Sequence, residues 1–216
     1  MARTRAQTKD SDDEKVNQSP VRRPSRKKET LINDVPLSQY IRRIVIGTTG
    51  ALLTLGFLVW VLWTGRLSLT GGIQTDKLSG FGSKLEFTLR FLILPALWLL
   101  ISDLLVMIAR CSNKQEALDP LNEREDLVEV PNNVLRNSME QALLSLLAQL
   151  SIISYLSAAD VARVIPLLNV TFFVGRVAYY IGYPKLRSFG FSLTFAPTAA
   201  ALLFVGYKFF VSTFLA

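Results

Sequence analysis

Five long apolar segments constrain the fold of this chain more than any other feature. They occupy positions 44–63, 87–109, 137–159, 164–183 and 191–215 of the 216 residues. About 20 predominantly apolar residues are enough for a helix to cross the hydrocarbon core of a bilayer. Because lipid offers the backbone no hydrogen-bonding partner, only helices and closed barrels cross it, and barrel strands alternate between apolar and polar residues. The continuous runs therefore predict an all-α membrane protein that crosses the lipid bilayer five times.

The polar segments between and before the spans predict the domain boundaries of the chain. Residues 1–40 are expected to form a disordered basic tail, 41–64 an N-terminal transmembrane helix, and 65–86 a flexible loop rich in Gly and Ser. The acidic segment 110–135 is expected to form an ordered surface segment ahead of the third span. Residues 87–216 are then left to form one domain of four transmembrane helices.

The charge distribution predicts the orientation of these spans. The net charge is +7, and the tail before the first span supplies most of the excess Lys and Arg. Cytoplasmic loops of membrane proteins are enriched in Lys and Arg, so the N-terminus is expected in the cytosol and the C-terminus in the lumen. A basic tail that leads directly into a span is better explained as this orientation signal than as a nucleic-acid site, and no nucleic-acid partner is predicted.

The counts of two residue types exclude several kinds of chemistry. The chain has one cysteine, Cys111, and no histidine. An internal disulfide, histidine acid–base catalysis and His-ligated or Cys-cluster metal sites are therefore excluded, and no metal site is predicted.

Ionisable residues inside the predicted spans are Asp103, Glu140 and Arg176. Such residues are costly in lipid and usually face protein or water. For Asp103 a helix-packing contact is favoured over membership of a site. For Glu140 and Arg176 two interpretations stay open. They either form an interhelical ion pair that fixes the packing, or they belong to a buried polar binding site.

Further polar residues fall at the same predicted depth, near the cytosolic end of the spans. Arg136 and Asn137 share a helix face with Glu140, and Arg176, Tyr179 and Tyr183 recur at helical spacing. Arg187 and Ser188 directly precede the last span. Because arginine forks bind carboxylates in a bidentate manner and a glutamate accepts from an ammonium, a peptide with two carboxylates and one amine would suit this set.

Three motifs in this region resemble those of the MAPEG family, the membrane-associated proteins of eicosanoid and glutathione metabolism, and most closely its microsomal prostaglandin E synthase branch. They are RNSME at 136–140, GRVAYYIGY at 175–183 and RSFGF at 187–191. The resemblance covers about 87–216. It implies a MAPEG-like four-helix bundle that forms a homotrimer, with glutathione as cofactor between subunits. It also implies that glutathione is held by Arg136, Asn137, Glu140, Arg176, Tyr179 and Tyr183, and that Arg187 and Ser188 act as catalytic residues beside its sulfur.

Three departures from the family pattern affect the expected function. Phe191 stands where the family typically has tyrosine, the turn from Tyr183 to Arg187 is short, and there is one extra N-terminal transmembrane helix after a long tail. This combination resembles a divergent, mattrin-like branch of the family, for which enzymatic activity is not established.

The branch resemblance implies a non-catalytic regulator of membrane-protein traffic in endoplasmic reticulum, Golgi or lysosomal membranes, with membrane receptors as partners and dampening of Wnt signalling through Frizzled. The alternative is a glutathione-dependent transferase, isomerase or peroxidase that acts on a lipid. A transporter or channel is less favoured, because the polar groups lie in one leaflet rather than along a path.

Overall fold

The computed structural model describes residues 37–66, 78–112 and 128–215. In these ranges the chain forms six α-helices: α1 (Leu37–Trp63), α2 (Phe81–Phe91), α3 (Ile93–Ser112), α4 (Glu129–Ile152), α5 (Ala158–Gly182) and α6 (Arg187–Phe210), followed by a π-helical turn at Val211–Leu215. Residues 1–36 of the predicted tail 1–40, and the stretches 67–77 and 113–127 of the two predicted loops, lie outside the described residues. Residues 37–40, predicted to belong to the disordered tail, instead form the first turn of α1. The prediction of an all-α membrane protein is confirmed.

Four helical stretches among the described residues are long and apolar enough to cross a membrane. They are Leu37–Trp63, Phe81–Ser112, Ala158–Gly182 and Arg187–Leu215. The third predicted span, 137–159, corresponds to α4. Its 24 residues extend about 36 Å at 1.5 Å per residue, although the helix is too polar to meet the same criterion. Its buried residues include Ser138, Gln141, Ser145 and Gln149, while Leu143 and Leu147 are exposed. The polar side of α4 therefore faces other helices, and its apolar side faces outward.

Several helix boundaries differ from the predicted ones. α1 begins at Leu37 rather than at position 44, and α4 occupies Glu129–Ile152 rather than 137–159. Residues 153–157 instead form the connection between α4 and α5. Ser157 caps the start of α5, because its side chain accepts a hydrogen bond from the backbone amide of Asp160. The second span is interrupted at Leu92, because Pro95 has no N–H to donate to the carbonyl of Phe91 four residues earlier.

The helices pack around α5, which has the largest buried fraction of the candidate spans. α6 packs against α5 and α4 on one side and against α1 on the other. The α1–α6 contact is apolar at its centre, where Ala51 and Leu55 meet Leu193. A second apolar cluster joins α2, α4, α5 and α6 around Phe87, Ile152 and Ile165.

Buried polar side chains in the middle of the bundle pair with one another. Asn169 Nδ2 donates to Gln149 Oε1 at 2.6 Å, and Gln149 Nε2 donates to Ser145 Oγ at 3.0 Å. Trp98 Nε1 donates to Ser138 Oγ at 2.9 Å and joins α3 to α4. These bonds allow α4 to keep a polar inward face, because an unpaired polar group away from water costs free energy.

Candidate ligand site at one end of the bundle

One end of the bundle contains the first turns of α1, α4 and α6 and the last turns of α5. A pocket of about 440 Å³ opens there. The lining residues come from these four helices and the turn before α6, and they are Tyr40, Arg43, Ile44, Thr48, Asn137, Tyr179, Pro184, Lys185, Arg187, Ser188, Phe191 and Ser192. Four of the eight predicted site residues therefore line one pocket: Asn137, Tyr179, Arg187 and Ser188.

Arg176 lies beneath this pocket and is fully buried. Its Nη1 donates to Asn137 Oδ1 at 2.7 Å, and its Nη2 donates to the hydroxyl of Thr194. Its guanidinium carbon lies 5.1 Å from the centre of the Tyr179 ring and 5.7 Å from that of Phe172. Arg176 thereby joins α4, α5 and α6, while its Nε has no hydrogen-bond partner among the described residues.

Two glycines allow α5 and α6 to approach closely enough for the Arg176–Thr194 contact. A Cβ atom on Gly190 would meet the backbone nitrogen of Tyr179 and the carbonyl oxygen of Gly175. A Cβ on Gly175 would lie 2.6 Å from the side chain of Thr194. Because the backbone cannot move aside as a flexible side chain can, Gly190 is sterically limited to glycine, whereas a larger residue at Gly175 would have to displace the Thr194 side chain.

Arg187 stands at the mouth of the pocket, surrounded by phenols. Its guanidinium interacts electrostatically with the hydroxyl groups of Tyr40, Tyr179 and Tyr183, and its central carbon lies 5.9 Å from the centre of the Tyr183 ring. Tyr179 and Tyr183 also pack together, with ring centres 5.9 Å apart. The predicted helical spacing of these two tyrosines thus places both next to Arg187.

Ser188 contacts α1 directly. Its hydroxyl donates to the backbone carbonyl of Arg43 at 3.2 Å, and one turn further Ser192 Oγ donates to Thr48 Oγ1 at 3.2 Å. A Cβ on Gly47 would collide with the Ser188 side chain. The extra N-terminal helix is therefore seated against the part of α6 that carries the predicted catalytic pair.

Arg136 and Glu140 lie apart from the pocket lining. Arg136 Nε and Glu140 Oε1 are 3.6 Å apart, and both side chains are exposed. The interhelical Glu140–Arg176 pair, one of the two open interpretations, is not formed, because Arg176 bonds to Asn137 and Thr194 instead. Asp103 is exposed on α3 and does not line the pocket, so the favoured helix-packing contact stays a prediction.

Several residues of the site were not predicted from the sequence. Tyr40, Arg43 and Thr48 come from α1, and Thr194 comes from the second turn of α6 beyond Arg187. Positions 40, 44 and 48 recur every four residues, and this periodicity could have marked one face of α1. The sequence contains no comparable signal for Thr194, because a threonine in an apolar span is common and its role depends on which helix lies opposite.

Comparison with known protein families matches residues 87–207 of the chain to the MAPEG family. No curated protein and no solved structure shows a significant match. The matched region begins within α2 and ends within α6, so it contains Asn137, Arg176, Tyr179 and Arg187 but not α1. A family match over more than half of the sequence, together with the all-helical bundle, establishes the relationship: the chain belongs to the MAPEG family.

Proposed function

We propose that this protein is a non-catalytic regulator of membrane-protein traffic, built on a MAPEG scaffold and similar to the mattrin-like branch of the family. The contact between α1 and Ser188 carries the proposal. Members of the family generally use glutathione, and Ser188 is one of the two residues expected beside its sulfur. Here the Ser188 hydroxyl is bonded to the backbone of α1.

The hydrogen bonds of Arg176 support the same proposal. Its two terminal nitrogens bond to Asn137 and Thr194, so the guanidinium is held within the bundle by protein groups. Arg136 and Glu140 pair with each other on the exposed surface. Both terminal nitrogens of Arg176 therefore bond to the protein itself, which supports a scaffold in which this arginine serves helix packing.

The proposed cellular setting follows from the charge distribution of the sequence and the resemblance to the branch. The N-terminus lies in the cytosol and the C-terminus in the lumen of secretory, Golgi or lysosomal membranes. The protein acts as a homotrimer, and its partners are membrane receptors. Among them are Frizzled receptors, whose delivery to the cell surface it restrains, and this restraint dampens Wnt signalling.

The test measures surface Frizzled and Wnt reporter activity in cells that express the full chain. A Gly47→Leu variant should lose the dampening, because a side chain at Gly47 collides with Ser188 and displaces α1. A Gly56→Leu variant is the matched control, since nothing lies within 4 Å of a Cβ at that glycine. Equal dampening by both variants, or none by the native chain, contradicts the proposal.

A second candidate function is a glutathione-dependent transferase, isomerase or peroxidase acting on lipid. The observation in its favour is the pocket of about 440 Å³ that contains Asn137, Tyr179 and Arg187. Buried or partly buried arginines stabilise thiolates and carboxylates electrostatically. The same geometry could hold the anionic groups of glutathione at the pocket mouth.

Equilibrium dialysis of the purified full chain with glutathione, together with turnover of a lipid hydroperoxide, tests this candidate. Saturable binding and turnover that Arg187→Ala removes would support an enzyme. Arg110→Ala is the control, because Arg110 is an exposed cation outside the pocket. No binding at millimolar glutathione removes this candidate.

A further inference from the structure

The N-terminal helix supplies one wall of the pocket. Tyr40, Arg43, Ile44 and Thr48 of α1 all line it. Arg43 and Ile44 follow Tyr40 by three and four residues and Thr48 follows Ile44 by four, which places them on one side of the helix. This wall faces Arg187, Phe191 and Ser192 of α6. Because α1 lies outside the region that matches the family, the wall is a feature that the family relationship does not supply.

Three cations contribute to the lining of the pocket. Arg43, Lys185 and Arg187 line it, and none of its lining residues among those described is Asp or Glu. Glu140, the carboxylate of the predicted site, lies outside the lining and pairs with Arg136. An ammonium group would therefore find no carboxylate here, whereas a phosphate or carboxylate would meet three positive charges.

The other lining groups are apolar or weakly polar and follow the bilayer-crossing helices. Ile44 and Phe191 contribute apolar surface, and Thr48 and Ser192 bond to each other one turn deeper. α1 and α6 are both candidate membrane spans, so the crevice between them runs from the end of the bundle towards the acyl region. The pocket thus combines a charged mouth with an apolar continuation.

We infer that this pocket binds the headgroup of an acidic lipid, a phosphate monoester attached to acyl chains. Arg43 and Arg187 hold the anion from opposite helices, and Tyr40, whose phenol lies beside Arg187, donates a further hydrogen bond to it. Ile44 and Phe191 contact the start of the acyl chain. A regulator and an enzyme could both use such a site, so the inference goes beyond the proposed function.

Arg43→Gln and Arg42→Gln form a matched pair for the test. The two arginines are adjacent, but Arg42 is exposed and does not line the pocket. Ser188 bonds to the backbone of Arg43, which the substitution retains, so α1 should stay docked. The full chain in neutral-lipid nanodiscs is titrated with phosphatidic acid, and bound lipid is counted by native mass spectrometry.

The native chain should bind phosphatidic acid saturably and in preference to phosphatidylcholine. Arg43→Gln should weaken the binding about ten-fold or more, since a hydrogen bond to a charged group typically contributes 1.5–3 kcal/mol. Arg42→Gln should bind as the native chain does. Equal weakening by both variants, or by neither, overturns the inference, because it would mean that the lipid binds by general surface charge or elsewhere.

Two further arms identify the ligand. In the first arm, inorganic phosphate competes with bound phosphatidic acid, and competition as strong as that by phosphatidic acid itself would mean a simple anion site and overturn the lipid assignment. In the second arm, saturable binding of glutathione without any binding of lipid would overturn it as well. Tyr40→Phe should weaken phosphatidic acid binding, while Tyr207→Phe, at an exposed tyrosine outside the pocket, should not. Unchanged binding by Tyr40→Phe contradicts the assigned role of the Tyr40 hydroxyl.

Discussion

Arg176 and Asn137 lie 39 positions apart in the sequence, and Arg176 Nη1 donates a 2.7 Å hydrogen bond to Asn137 Oδ1. The bond joins α5 to α4 at a depth where water is scarce and a bare guanidinium would be costly. Thr194 of α6 accepts a second bond from the same side chain. One arginine therefore links three helices, and one of its partners, Asn137, lines the pocket.

Asn137→Leu should lower the free energy of unfolding by about 1.5–3 kcal/mol, because it removes a hydrogen bond to a buried charged group. The double variant with Arg176→Met should cost less than the sum of the two single variants, since it removes the unpaired cation as well. Asn132→Leu is the control: Asn132 is exposed in the first turn of α4, and its change should stay within about 0.5 kcal/mol. Denaturant titration in mixed micelles measures all four, and strictly additive effects would contradict the coupling.

The fold was predictable in outline because hydrophobic runs alone determine which segments enter a membrane. The starts and ends of the helices were less predictable. Amphipathic residues such as Tyr40 and Asn132 extend a helix beyond its apolar run, and turns such as 153–157 contain apolar residues that sequence reading assigns to the span. Pro95, by contrast, is a local signal, and its missing N–H accounts for the break at Leu92.

The site was predictable only where its residues share a helix. The spacing of Tyr179 and Tyr183 placed them on one face, and the structure has their rings in contact. Contacts between helices depend on rotation and approach, which spacing does not specify. For that reason the sequence left a Glu140–Arg176 ion pair open, whereas Arg176 bonds to Asn137 and Thr194. The contribution of Tyr40 and Arg43 was not foreseen.

Gly190→Ala should destabilise the bundle by about 2 kcal/mol or more, because the new Cβ meets backbone atoms of α5 that cannot move without separating the helices. Gly206→Ala on the same helix is the control. No atom lies within 4 Å of a Cβ at that position, so alanine should be neutral or stabilise the helix by up to about 1 kcal/mol through its better helix propensity. Thermal unfolding in detergent measures both, and equal stability of the two variants contradicts the close α5–α6 approach.

The paired amides of Gln149 and Asn169 should show strong coupling. Asn169→Leu is expected to cost about 1–3 kcal/mol, since it leaves the buried Gln149 carbonyl without a donor. Replacing both amides with leucine removes the unpaired group and should restore part of this loss. The free energy of unfolding of the double variant decides the matter: a loss equal to the sum of the single variants means that the amides do not act as a pair.

The docking of α1 on α6 can be tested chemically at Thr48 and Ser192, whose hydroxyl oxygens are 3.2 Å apart. In a Cys111→Ser background, cysteines at these two positions should form a disulfide on mild oxidation, because hydroxyls in contact place the two Cβ atoms near the spacing that a disulfide needs. Mass spectrometry of the linked peptides measures the yield.

Moving the first cysteine to Thr49, an exposed neighbour that points elsewhere on α1, should abolish the cross-link. Adding Gly47→Ala should reduce the yield, since its Cβ collides with Ser188 and forces α1 away, whereas Gly56→Ala should leave it unchanged. A cross-link that forms equally from Thr48 and Thr49 would mean that α1 rotates freely, and the wall of the pocket formed by Tyr40, Arg43 and Ile44 would then not exist as a fixed surface.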